Sequence, residues 1–122
     1  MRRNKVDDGF TLVELLVTVV VMGILTAIAI PAYLNQRDSA YTAQMTSDLR
    51  NAAIRMEQGY HMDGGLYSAD SLVGFRPTRG VITVSEIAAD QSSFCLTASI
   101  AGWGSRSYDS DNGGLQDRGV GC

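Results

Sequence analysis

The chain has 122 residues, with 10 basic and 13 acidic side chains and a net charge of −3, a balance that does not suggest a strongly basic nucleic-acid binder. A single histidine, two cysteines and scattered serines give no nucleophile, base and orienter that could be assembled into a catalytic set, so no enzyme activity is expected.

The first informative element is GFTLVELLVTVVVMGILTAIAIPAYL, from Gly9 to Leu34, preceded by a short charged stretch with Arg2, Arg3, Lys5, Asp7 and Asp8. From Leu15 to Ala32 only Thr18, Gly23, Thr26 and Pro31 interrupt the apolar run. At 1.5 Å per residue about 20 such residues cross a bilayer core. The basic residues ahead of the run favour keeping that end in the cytoplasm, so the remainder is expected to be exported. An ordinary secretory signal also has a basic start and an apolar core. Against it stand the length of the run, the lack of a clear small-x-small cleavage site, and Glu14 and Pro31 in or at the end of the run. A carboxylate in a membrane helix costs a few kcal/mol or more and is rarely there without a partner or a function.

This stretch resembles the N-terminus of type IV prepilins and the related pseudopilins of type II secretion. The resemblance implies that a prepilin peptidase cuts between Gly9 and Phe10 and methylates the new amine of Phe10. It also implies that Glu14 is the family's assembly glutamate and Pro31 the residue that bends the first helix in many members. The expected organisation is a leader over 1–9, an apolar transmembrane and filament-core helix over 10–34, and an exported globular domain over 35–122. Removing the leader leaves seven basic and eleven acidic side chains, a net of −4. Lys5 is the only lysine, so the processed chain offers no side-chain amine for covalent pilus linkage, and polymerisation is expected to be noncovalent.

Beyond Tyr33, the residues Tyr41, Met45, Leu49, Ala52 or Ala53, and Met56 recur at three and four, the spacing of an amphipathic helix whose apolar stripe packs on a sheet. One helix is expected from near Phe10 to a stop near Gly59, with Gly23 and Pro31 as weak points and a kink or melted turn at Pro31. Tyr60 to Gly80 reads as a long connection with a short helical turn near Ala69 to Val73. The lone His61 reads as a surface residue rather than a ligand.

VITVSEI after Gly80 and the alternation of Phe94, Leu96, Ala98 and Ile100 predict two strands, with a third around Ser107 and Tyr108. The fold class is therefore α+β: a long N-terminal helix, apolar then amphipathic, packed on a small antiparallel sheet, as the pilin resemblance also implies.

Cys95 and Cys122 both lie in the exported part, where oxidation can join them. The alternative is two free thiols. A bridge would close a loop of about 28 residues, worth on the order of 3.5 kcal/mol by chain entropy. The resemblance implies that Gly102 to Val120 is the exposed and variable surface. Within it Asp109, Asp111 and Asn112 resemble the opening of a calcium loop, but Val120 occupies the position of its closing glutamate, so a solvated turn is favoured and calcium is a weak candidate.

The favoured function is a structural subunit of a type IV pilus serving adhesion, motility or DNA uptake. Its partners would be copies of itself, minor pilins, the prepilin peptidase, and a membrane assembly platform with its ATPase. No cofactor is required, and DNA binding is not specifically indicated. A pseudopilin of a secretion or competence system is the runner-up. A membrane-tethered binding domain that never polymerises is the alternative of a different class.

Overall fold

Apolar residues at helical spacing, with no proline other than Pro31 before Pro77, give a single long helix in the computed structural model, which describes Gly9 to Cys122. The leader residues Arg2, Arg3, Lys5, Asp7 and Asp8 lie outside the described residues. Helix α1 runs from Leu12 to Met62. Two compact units divide the chain, one ending at Gln36 and the other spanning Arg37–Cys122.

In the first unit the helix continues through Pro31. Of the kink or melted turn expected at Pro31, the melted turn is absent, since the helix is continuous there. Proline removes one donor, but the turns on either side keep theirs, and alanines at 27, 29 and 32 with Leu34 favour the helix there. Thr18 and Thr26 donate their hydroxyls back to the carbonyls of Leu15 and Met22, at 2.7 and 2.9 Å, so neither leaves a polar atom facing out of the apolar stretch unbonded.

The stop is also displaced from its expected place. Gly59 sits inside the helix, where a Cβ would come within 2.0 Å of the Ser71 hydroxyl, so it is a close-packing glycine rather than a terminator. The helix ends instead at Gly64 and Gly65, whose φ values of 73° and 88° are cheap only for glycine. The Gly65 amide donates to the Tyr60 carbonyl at 2.9 Å, satisfying one of the last carbonyls of the helix.

In the second unit the strands β1 (Val81–Ile87), β2 (Phe94–Ile100), β3 (Gly104–Asp109) and β4 (Gly114–Leu115) form an antiparallel meander in that order. The short β4, paired with Tyr108 and Asp109, was not expected, because two residues beside glycines carry no period-2 signal. Strand β2 is central and supplies Phe94, Leu96, Ala98 and Ile100 to the core, opposite Met45, Leu49, Ala52, Ala53 and Met56 of α1. Met45, Leu49 and Met56 are the largest side chains that α1 gives to this core, and methionine adapts its shape to the neighbours it packs against. The Met and Tyr stripe is thus a core stripe.

The connection between helix and sheet is tied down by polar contacts. A 3-10 turn, Ala69–Leu72, is capped by Ser68. The carboxylate of Asp48, itself buried, accepts from the amide of Thr78 at 2.7 Å and from its hydroxyl at 2.8 Å. Tyr67 donates to Glu57 at 2.8 Å, while its backbone exchanges bonds with Gln91. Burial first, and then that hydrogen bond to a carboxylate, push the Tyr67 phenol up to about 12 from 10.0.

Cys95 and Cys122 form a disulfide with a Cα–Cα separation of 5.8 Å. The segment before Cys122 runs along β3. The Gln116 amide donates to the Ser107 carbonyl, the Gly119 amide to the Ser105 carbonyl, and the buried Ser107 hydroxyl to the Val120 carbonyl at 2.6 Å.

Two outcomes follow for the detergent-solubilised chain, with Trp103 fluorescence as the probe of unfolding. Asp48→Ala removes two hydrogen bonds to a carboxylate that tie Thr78 to α1 and lowers stability by about 1.5–3 kcal/mol. At alkaline pH the folded state holds the Tyr67 proton after the unfolded chain has released it, so stability is intact below pH 10.0 and falls as pH rises toward about 12. Tyr67→Phe flattens that fall, and an unchanged alkaline slope contradicts the assignment.

Candidate functional site: the first turn and apolar face of α1

Of the residues singled out at the N-terminus, Gly9 and Phe10 precede α1 and Glu14 lies in its first turn. Thr11 precedes the first helical residue, and Glu14 is the third residue within it. The Glu14 amide donates to the Thr11 hydroxyl at 3.2 Å, while one Glu14 carboxylate oxygen, Oε2, accepts from the Thr11 amide at 3.0 Å and from its hydroxyl at 3.2 Å. This reciprocal pattern is a capping box, which satisfies otherwise orphaned donors at a helix start. Thr11 was missed in the sequence, although a threonine followed three residues later by glutamate ahead of an apolar run is the signal for it.

The box has an electrostatic consequence. It holds the one acid of the apolar stretch at the positive end of the helix dipole, folded back toward the backbone at residue 11. Oε1 has no hydrogen-bond partner among the described residues, so the carboxylate keeps one oxygen for a further donor. Phe10, next to the box, is 90% exposed. A Cβ on Gly9 would meet nothing within 4 Å, and the same holds at Gly23, so neither glycine is demanded by packing inside its own chain.

From Leu12 to Leu34 the apolar side chains are exposed. Leu12, Leu15, Leu16, Val19 and Val20 line one exposed apolar surface, and none of the most apolar stretch of α1 is buried. The helix is long and apolar enough to cross a membrane. Pro31 lies toward the end of the same uncovered stretch.

The remaining candidates lie in the second unit. Asp109 accepts from the Asp111 amide at 3.0 Å, and the Asn112 carbonyl accepts from the Gln116 side-chain amide at 2.7 Å, which makes this segment a self-bonded turn. Among the described residues no three His, Cys, Asp or Glu side chains converge in a way that could hold a metal ion. His61 is exposed and meets the edge of Tyr60 at 5.8 Å between ring centroids.

Residues 4–30 match the family model described as the prokaryotic N-terminal methylation motif. The chain is 32% identical over 98 residues to the type IV wide pilus major component PilA4 of Thermus thermophilus, covering 77% of this chain and 74% of that one. It is 32% identical over 80 residues to the type IV major pilin protein PilA of Myxococcus xanthus, covering 65% of this chain and 36% of that one. It is 33% identical over 67 residues to the type II secretion system core protein G of Pseudomonas aeruginosa, covering 55% and 46%. The chain therefore spans less than half the length of the last two. No solved structure matches it.

Thr11→Val removes the hydroxyl that caps α1 while keeping a similar shape. Loss of such a cap costs about 0.5–2 kcal/mol, so amide exchange in the first turn is expected to quicken by roughly 2- to 30-fold in detergent, with exchange around Met45 unchanged. Thr11→Ser restores the protection. Equal exchange in all three forms contradicts a capping role.

Proposed function

Since this chain belongs to the type IV pilin family, we propose that it is a structural subunit of a type IV pilus, anchored in the membrane before assembly and packed into a noncovalent helical filament afterwards. The observation that carries this reading is the uncovered apolar half of α1 with its single acid capped in the first turn. Such a surface is stable in lipid or against other apolar helices, and the same helix serves in both settings.

Processing connects the two settings. Arg2, Arg3 and Lys5 precede the apolar run, and burying them in a filament core carries a large desolvation cost. Cleavage between Gly9 and Phe10 removes them and leaves an ammonium at Phe10, which stays protonated at neutral pH when methylated. The open space around Gly9 fits a demand set by the peptidase rather than by the fold, since a branched side chain there would crowd only a visitor to the scissile bond.

Glu14 is the partner for the new charge. With Oε2 held by Thr11, Oε1 remains for the Phe10 ammonium of the same or a neighbouring subunit. Both charges lose hydration on leaving the headgroup region. A register that pairs them is therefore favoured over one that leaves either alone, and the pair selects the axial position of an incoming subunit. The peptidase, minor pilins and a membrane platform with its ATPase are the partners this role requires. The likeness to core protein G supports a second reading, a pseudopilin of a secretion system, which uses the same steps to build a shorter filament.

Glu14→Ala is expected to leave membrane insertion and N-terminal cleavage unchanged and to lower the yield of sheared filaments by at least about tenfold, the consequence of an ammonium buried without its partner. Wild-type yield from that variant rules out the register role.

A further inference from the structure

The second unit is electrically polar along its sheet. The strand register brings Val81, Ser99, Ile100 and Gly104 to one end of the sheet and Ile87, Phe94, Cys95 and Asp109 to the other, about 20 Å away for strands of this length.

Three guanidinium groups gather at the first end around the tilted pair Tyr41 and Trp103, whose ring centroids are 4.4 Å apart at an interplanar angle of 47°. Arg37 lies 5.1 Å from the Trp103 ring and donates to the Tyr41 hydroxyl at 3.0 Å. Arg79 lies 5.2 Å from the Tyr41 ring. Arg118 donates to the Trp103 carbonyl and pairs with Asp38 at 2.6 Å. Arg79 and Arg118 are both exposed, so the guanidinium groups lie on the surface of the domain. The Tyr41 phenol is held below its ordinary value chiefly by the Arg37 hydrogen bond, as a positive surrounding requires.

The second end has the opposite sign. Glu86, Asp109 and Asp111 line a cleft of about 170 Å³ beside the disulfide, and no basic side chain among the described residues lines it. Asp90, in the turn that leads into β2, has its carboxyl held low by hydrogen bonds from Ser92, so it adds a further charge there.

Two unlike, complementary patches on one chain form a heterologous contact, and repetition of such a contact gives an open helical filament wherever its rotation does not close into a ring. We propose that the arginine–aromatic patch around Tyr41 and Trp103 docks on the acidic cleft of Glu86, Asp109 and Asp111 in a second copy of this chain, joining neighbouring globular domains in the filament. The proposal rests on the pilus reading. It adds a contact outside the apolar core, with the rigid rings supplying area and the guanidinium groups supplying sign and direction.

Charge reversal in the full-length chain tests it. Arg79→Glu with Arg118→Glu, and separately Glu86→Arg with Asp111→Arg, are each expected to lower sheared filament yield at least about tenfold through like-charge juxtaposition. Membrane level, N-terminal cleavage and oxidation of Cys95 to Cys122 stay at wild-type values, which reports that the domain still folds. All four changes in one chain restore opposite signs at the contact and recover most of the yield. Wild-type filaments with undiminished yield from the two-site variants overturn the docking alone, as does a four-site variant no better than either. Loss of binding of a duplex oligonucleotide or of anionic phospholipid vesicles to the filaments, with assembly intact, assigns the patch to a polyanion and overturns it as well. Absence of filaments from the wild-type chain overturns the pilus reading itself, and the docking with it.

Discussion

An apolar helix that its own chain leaves bare has to be covered by something else. Each apolar side chain left in water forfeits about 1.5–3 kcal/mol relative to burial, so a stretch from Leu12 to Leu34 with every residue exposed is not a stable aqueous object. Lipid satisfies it at once, and a bundle of like helices satisfies it equally well. The rest of the chain is arranged around that unmet demand: a capped acid at its start, and a folded domain beyond Gln36 that makes its own core from the second half of the same helix.

The domain carries its own stability. Its core is small, ten residues dominated by α1 and β2, and polar ties supplement it. Asp48 fastens the connection to the helix, Gln91 clamps that connection to the β1–β2 turn, and the disulfide with the Ser107 hydrogen bond fixes the segment along β3. None of these contacts uses the apolar face. The two halves of α1 therefore answer to different surroundings. The first is exposed to whatever covers it, and the second is committed to the sheet.

Much of this was legible because it rests on periodicity. The 3.6-residue stripe through Met45, Leu49 and Met56 and the alternation through Phe94 to Ile100 are local signals, and both mark core faces. What was not legible depends on contacts between residues far apart. Gly59 looks like a stop until Ser71 is seen packed against it. Pro31 marks a place for a kink or a melted turn, yet the helix is continuous through it, because a single missing donor leaves the turns on either side bonded. β4 has two residues and owes its existence to Tyr108 and Asp109 across the turn. Thr11 was legible and overlooked, since its motif adjoins the more conspicuous acid. The arginine cluster joins residues 37, 79 and 118, which no spacing along the chain relates.

The central claim is that one helix passes from bilayer to filament after its leader is removed. Mass spectrometry of the N-terminus of this chain in sheared filaments, imaged by electron microscopy, tests that claim most directly. The account predicts long filaments whose subunits begin at Phe10 with a methylated amine. Filaments built from subunits that still carry residues 1–9, or a chain found only as membrane-retained monomer, would contradict it.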